Sequence, residues 1–247
     1  MARTAVSIPS TFAHDWIALP TTDGNVGGVA VKSLSADEAS GGATFLVHLP
    51  PGWFDPQLDW HPATEESFKI AGWSQSGDRV SGTPSYIYRP PGLLHGPTLA
   101  EATLGATFIA RFDAELRIFR VPGGAQDQPM GPGFSADGLV WISDLERVER
   151  RELAGGPWAG ALVRELRRDP ATGGGLVLLD LPAGWSGEGS RGRGECEEFV
   201  LAGAVDAGGL ELTRWGYACR PAGTAAGRYA SRDGAVVACW WARDECE

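Results

Sequence analysis

Apolar residues along the chain come in short runs, each closed by glycine or proline within about ten residues, and few windows hold the spacing of an amphipathic helix. The pattern predicts strands. From Glu65 to Gly72 the side chains alternate, so that Glu65, Ser67 and Lys69 share one face while Glu66, Phe68 and Ile70 share the other. Thirty-five glycines and seventeen prolines supply the turns, and an all-β sandwich or barrel fits this spacing.

The apolar pattern also repeats. FLVHLPPGW (Phe45 to Trp53) returns as VLLDLPAGW (Val177 to Trp185), an offset of 132 residues. ESFKIAG (Glu66 to Gly72) answers to EEFVLAG (Glu197 to Gly203), and YRPPGLLHG (Tyr88 to Gly96) to CRPAGTAAG (Cys219 to Gly227), each offset by 131. Upstream, GVAVKSL from Gly28 resembles GALVREL from Gly160. Four matches in one order mark a tandem duplication of one β unit. The Gly- and Pro-rich stretch from Val121 to Gly133 is the natural linker, which puts the boundary near Gly124 and the units at 1–123 and 124–247. The stretch from Leu139 to Leu153 admits a short helix or strands; its counterpart HDWIALPTT favours strands.

Composition narrows the partners. The net charge of -10 and the lack of any dense Lys/Arg patch argue against nucleic acid and anionic membrane surfaces. No apolar run approaches the roughly twenty residues of a membrane-spanning helix, and the N-terminus lacks the pattern of a secretory signal. All four cysteines, Cys196, Cys219, Cys239 and Cys246, lie in the second half without the spacing of a disulfide framework or zinc ribbon. Reduced, buried thiols in a cytoplasmic protein are the simplest reading; a soft-metal or redox site made by the first three is the alternative.

Candidate chemistry concentrates between Leu58 and His95. Asp59, His61, Glu65, Glu66 and His95 are residue types that bind a borderline divalent metal. Asp59 is open to three roles: a ligand, an acceptor for an imidazole N–H, or a turn residue. Glu66, on the opposite strand face, reads as a salt-bridged carboxylate unless a bulge exchanges it with Glu65. His48, replaced by Asp180 in the second copy, reads as a packing residue. Lys69 and Tyr88 are candidate substrate contacts, and Arg111, Phe112, Trp240 and Trp241 are read as packing.

These residues resemble the two motifs of the cupin family. Gly52, Asp59-Trp60-His61, Glu65 and Gly72 resemble the first motif, and Pro90-Pro91-Gly92-Leu93-Leu94-His95 the second. The likeness spans two consecutive units, as in bicupins, and implies two tandem jelly-roll barrels. The HPATEE run and RDPATGGGLVLLDLPAGW are similar to the cupin domain of ChrR-type anti-sigma factors. The resemblance implies one divalent metal held by His61, Glu65 and His95, with Asp59 where the family carries a further histidine. In the second copy Gly192, Cys196 and Ala226 stand at the positions of His61, Glu65 and His95, which implies a barrel without metal.

The family likeness implies a metal-dependent enzyme acting on a small organic molecule. Iron(II) oxygenase chemistry is favoured, with isomerisation or hydrolysis, and with zinc, manganese or nickel, as variants. A non-catalytic zinc-binding regulatory module of the ChrR kind is the alternative. A third reading makes both barrels binding modules, and ten tryptophans are compatible with a homodimer interface without specifying one.

Overall fold

A computed structural model describes residues 3–19, 28–121, 138–189, 192, 194–224 and 226–243. Gly124, most of the expected linker around it, and Cys246 lie outside the described residues. Fourteen strands, numbered in chain order, build two seven-stranded antiparallel sheets. They are β1 (Val6–Ile8), β2 (Ile17–Ala18), β3 (Ala30–Ala36), β4 (Gly41–Leu49), β5 (Glu65–Gly72), β6 (Ser85–Arg89) and β7 (Ala106–Ala114). In the second half follow β8 (Val140–Ile142), β9 (Arg151–Glu152), β10 (Leu162–Arg168), β11 (Gly173–Leu181), β12 (Cys196–Gly203), β13 (Tyr217–Arg220) and β14 (Ala235–Arg243).

One sheet runs β8-β6-β5-β7-β4-β3-β2 and the other β1-β13-β12-β14-β11-β10-β9. Adding seven to a strand's number converts the first order into the second, with β1 and β8 exchanged. The duplication is therefore visible as topology, and the all-β expectation holds. The helical alternative between Leu139 and Leu153 shrinks to a single 3-10 turn, Leu145–Arg147, between β8 and β9.

The exchange corrects the expected division at 123/124. The compact units are Asp15–Leu145 and Met1–His14 together with Glu146–Glu247. The cause is edge pairing: β1 aligns Val6 with Cys219 and Ile8 with Tyr217 on β13, while β8 aligns Ile142 with Tyr86 and Val140 with Tyr88 on β6. An open sheet edge is satisfied by whichever strand reaches it, and hydrophobic patterning does not say which half of the chain supplies that strand.

The repeated glycines end the central strands. Gly72 (φ +68°) closes β5, and a Cβ there would sit 1.9 Å from the Gly105 carbonyl oxygen; Gly203 (φ +73°) closes β12, 2.1 Å from that of Gly234. Only glycine fits either place.

The two interiors differ. In the second unit Trp158 is fully buried, stacks on Trp185 at 5.7 Å and meets Tyr229 at 5.3 Å. Trp241 packs within 6.4 Å of it. Among the same walls a buried Arg220 salt-bridges Glu198, which also accepts from the Tyr229 hydroxyl. In the first unit the space behind β5 is a cavity of about 380 Å³.

Candidate metal centre

Two pieces of backbone position the ligands. The short strand Leu58–Trp60 alternates, so Asp59 and His61 turn to one side while Trp60 stacks on Phe119 at 4.5 Å on the other. The Pro90-Pro91-Gly92 turn then ends β6 and carries the chain back, with Gly92 N–H donating to the His61 carbonyl at 2.8 Å. Asp59 and His95 exchange two backbone hydrogen bonds, of 3.0 and 2.9 Å, and so become direct neighbours across that pairing.

His61, Glu65 and His95 converge, each offering a ligand atom, all within 4.8 Å of one another. His61 uses Nδ1 against the Ala63 carbonyl at 2.7 Å, and His95 uses Nδ1 against that of Leu93 at 3.0 Å. A carbonyl only accepts, so each Nδ1 carries the proton and each Nε2 is left for the site. His61 Nε2 lies 3.2 Å from Glu65 Oε2, and His95 Nε2 lies 2.9 Å from Asp59 Oδ1. The other Glu65 oxygen is occupied: Oε1 accepts from Arg89 Nη1 at 2.5 Å and from the Ser67 hydroxyl at 2.6 Å.

This geometry fits a divalent metal, since two imidazoles with their far nitrogens fixed and a carboxylate with one committed oxygen present their remaining lone pairs to one point. Burial pushes the Glu65 carboxyl up, but the Arg89 guanidinium, the His61 hydrogen bond and the neighbouring histidines outweigh it and hold the group well below the usual carboxylate range. Burial pulls His61 down, yet the Glu65 hydrogen bond and charge, with the Ala63 carbonyl, leave it above the ordinary histidine value.

Most of the expected residues are where the alternation put them. Glu65, Ser67 and Lys69 line the cavity from β5. Glu66 faces the other way, accepting from the Tyr86 hydroxyl at 2.7 Å with Arg111 at 3.9 Å. Strand pairing runs unbroken through Glu65 and Glu66, so no bulge exchanges them. Asp59 lines the cavity with Oδ1 against the same His95 nitrogen that faces the site, so its carboxylate stands beside the candidate ligand atoms rather than behind the imidazole. His48 bonds the Thr107 hydroxyl at 3.0 Å, away from the metal ligands. Cys219 faces Glu197 on the outer side of β13, its thiol pushed up to about 12 first by burial and then by the glutamates. Cys196 and Cys239 are in the opposite, interior cluster, so the three do not converge.

Tyr88 is a correction. The cavity-lining residues of β6 are Ser85, Ile87 and Arg89. Period two therefore turns Tyr88 outward with Tyr86, and it does not face substrate space. Arg89, which sequence reasoning passed over, takes the inward place. The signal was present: both YRPPGLLHG and CRPAGTAAG keep this arginine, as Arg89 and Arg220. Each meets a carboxylate on the adjacent strand, Glu65 on β5 or Glu198 on β12, two residues apart in repeat register.

Comparison with known proteins agrees with the fold. Residues 8–111 match the family model of the ChrR cupin-like domain. A crystal structure from Nostoc punctiforme PCC 73102, provisionally described as a dioxygenase, is similar over 99% of this chain and 84% of its own, with a TM-score of 0.82 and 19% identity. The chain folds as two tandem cupin-type barrels. Bacillus subtilis oxalate decarboxylase is similar over 99% of this chain and 76% of its own length, with a TM-score of 0.60 and 15% identity. Sequence comparison with curated proteins gives no match. Among the described residues no helix of this chain is long and apolar enough to cross a membrane.

Lys69 has a measurable cost. It is 4% exposed, and burial first, then Arg89, pull its pKa down to about 7 against the pull of Glu65. A lysine that falls from about 10.4 in the unfolded chain destabilises the fold fully below pH 7, and the penalty is relieved as pH rises toward the unfolded value. Lys69→Met is therefore expected to stabilise the protein more at pH 6 than at pH 9, by about 2 to 3 kcal/mol. Urea unfolding at the two pH values measures this, and an equal effect at both would contradict it.

Proposed function

We propose that the first barrel is the active site of a metal-dependent enzyme acting on a small organic molecule, with one divalent metal on His61, Glu65 and His95. One observation carries this reading: the three ligands open onto a cavity of about 380 Å³, at the low end of ligand-binding cavities, whereas tryptophans fill the second barrel. Iron(II) is the first choice, because a two-histidine, one-carboxylate set leaves coordination positions for oxygen or substrate. Bound there, such a metal supplies redox or Lewis-acid chemistry. Arg89 and Ser67 hold Glu65 in place, the Leu93 carbonyl holds His95, and Phe112, whose ring edge meets His61 at 5.8 Å, keeps water from that side. The dioxygenase description of one structural relative and the Mn(II) centres of oxalate decarboxylase support redox-capable metals on this scaffold. A cytoplasmic location belongs to the same proposal.

The match to the ChrR cupin-like domain favours a second reading, a zinc-holding regulatory module without turnover. Water-proton relaxation of the Mn(II)-loaded protein separates the two. An open site gives a strong, rapidly exchanging water signal, quenched by small organic acids. Mn(II) bound with no exchangeable water would sink the enzyme reading and favour the regulatory one.

A further inference from the structure

The first-barrel cavity has two unlike walls. Strands β3, β4 and β7 contribute Val31, Val47, Leu49 and Phe108, all apolar, with Val29 just ahead of β3, while β5 contributes Glu65 and, four residues beyond it, Lys69. Along a strand four residues span about 13 Å, so Lys69 stands at the far end of the chamber from the ligands. Three exposed apolar side chains also line it: Leu19 (41% exposed), Leu116 (39%) and Ile118 (52%).

Three cations line this space, and two are committed. Arg89 holds Glu65. Arg120 Nη1 holds Asp55 at 2.9 and 3.1 Å and Gln57 at 3.0 Å. Lys69 donates to the Ser74 hydroxyl and lies 5.3 Å from the Phe108 ring, with no carboxylate paired to it among the described residues. A buried ammonium held only by a hydroxyl and a ring face is an incomplete ion pair.

We infer that the cavity binds an organic monoanion with an apolar body, its carboxylate or equivalent head on Lys69 and Ser74 and its hydrocarbon or aryl part against the Val31, Val47 and Phe108 wall. The placement of the head group stands on Lys69 alone; only the orientation of the opposite end toward His61, Glu65 and His95 rests on the proposed function. A compact dianion such as oxalate fits this chamber poorly. It leaves the apolar wall wet, and no second uncommitted Lys or Arg stands among the described residues that line the chamber. A neutral molecule leaves Lys69 without a counter-charge.

Calorimetric titration of the metal-loaded, full-length protein with 3-phenylpropionate, 3-phenylpropanol and oxalate tests this. The carboxylate is expected to bind at least about tenfold more tightly than the alcohol, the scale of one charge-assisted hydrogen bond. Lys69→Met, with its metal content unchanged, should reduce that preference to about twofold or less while keeping alcohol affinity. Lys69→Arg should restore part of it. His61→Ala should keep the preference, because the head group does not sit on the metal. A preference that survives in Lys69→Met, one that disappears in His61→Ala, or oxalate binding more tightly than 3-phenylpropionate to the His61→Ala protein would each overturn the inference. A Lys69-dependent preference in protein that holds no metal would support this inference while removing the metal reading.

Discussion

Alanine at His61 or at His95 is expected to lower affinity for divalent metal by more than the roughly 10- to 100-fold produced when a ligand merely loses a hydrogen-bonding partner. Both imidazoles have Nδ1 committed to a backbone carbonyl, so no second nitrogen is available to compensate, and the remaining histidine and Glu65 form an incomplete set. Asp59→Asn separates its roles. If the carboxylate only orients its neighbours, the loss stays within about 10- to 100-fold; if it ligates beside His95 Nε2, 2.9 Å away, the loss exceeds that. Mass-spectrometric metal analysis after dialysis, with competition by a chelator, reads both. Added metal at a hundred times its Kd should raise wild-type stability by about 2.7 kcal/mol and leave the histidine variants unmoved. Stoichiometric metal retained by both variants would remove the site. Glu65→Gln is a poorer probe, since it also strips Arg89 of its buried counter-charge.

The second large effect lies far from the site. Arg3→Ala, or deletion of residues 2–9, is expected to destabilise the second unit by about 3 to 5 kcal/mol, the cost of leaving one member of a buried ion pair alone. Arg3 Nη1 meets Glu197 at 2.5 Å, with side chains 3% and 1% exposed, and Glu197 also accepts from the Tyr217 hydroxyl at 2.6 Å. Deletion further removes β1 and opens the β13 edge. Thermal unfolding should show a fall of roughly 6 to 20 °C at this chain length. Arg117→Ala is the control, because its partner Glu115 is 60% exposed and such pairs contribute little. A shift for Arg3→Ala no larger than the control's would mean that the exchanged strand is not an integral part of that unit.

Much of this was legible without coordinates because it depends on local periodicity. Gly72 and Gly203 recur since a close backbone approach excludes any side chain, and such a requirement survives duplication. Period two placed Glu65, Ser67 and Lys69 inward and Glu66 outward. The same rule misplaced Tyr88, because the phase of β6 was not tied to that of β5 until their pairing, Arg89 opposite Glu65, was known. Arg89 is shared between the copies, recurring as Arg220, so the contrast between the two halves does not single it out.

The sequence by itself determined the strand-rich class, the internal repeat of its motifs, the candidate group His61, Glu65 and His95, and its replacement by Gly192, Cys196 and Ala226 in the second copy. These follow from spacing within short segments and from comparing the halves. Tertiary structure alone decided which half completes each sheet, that Asp59 stands beside the Nε2 of His95, and that Lys69 faces a cavity while stacked tryptophans pack in the second interior. Each of these depends on contacts between segments distant in the chain, and such contacts are set by how strands pair and pack, which local alternation does not encode.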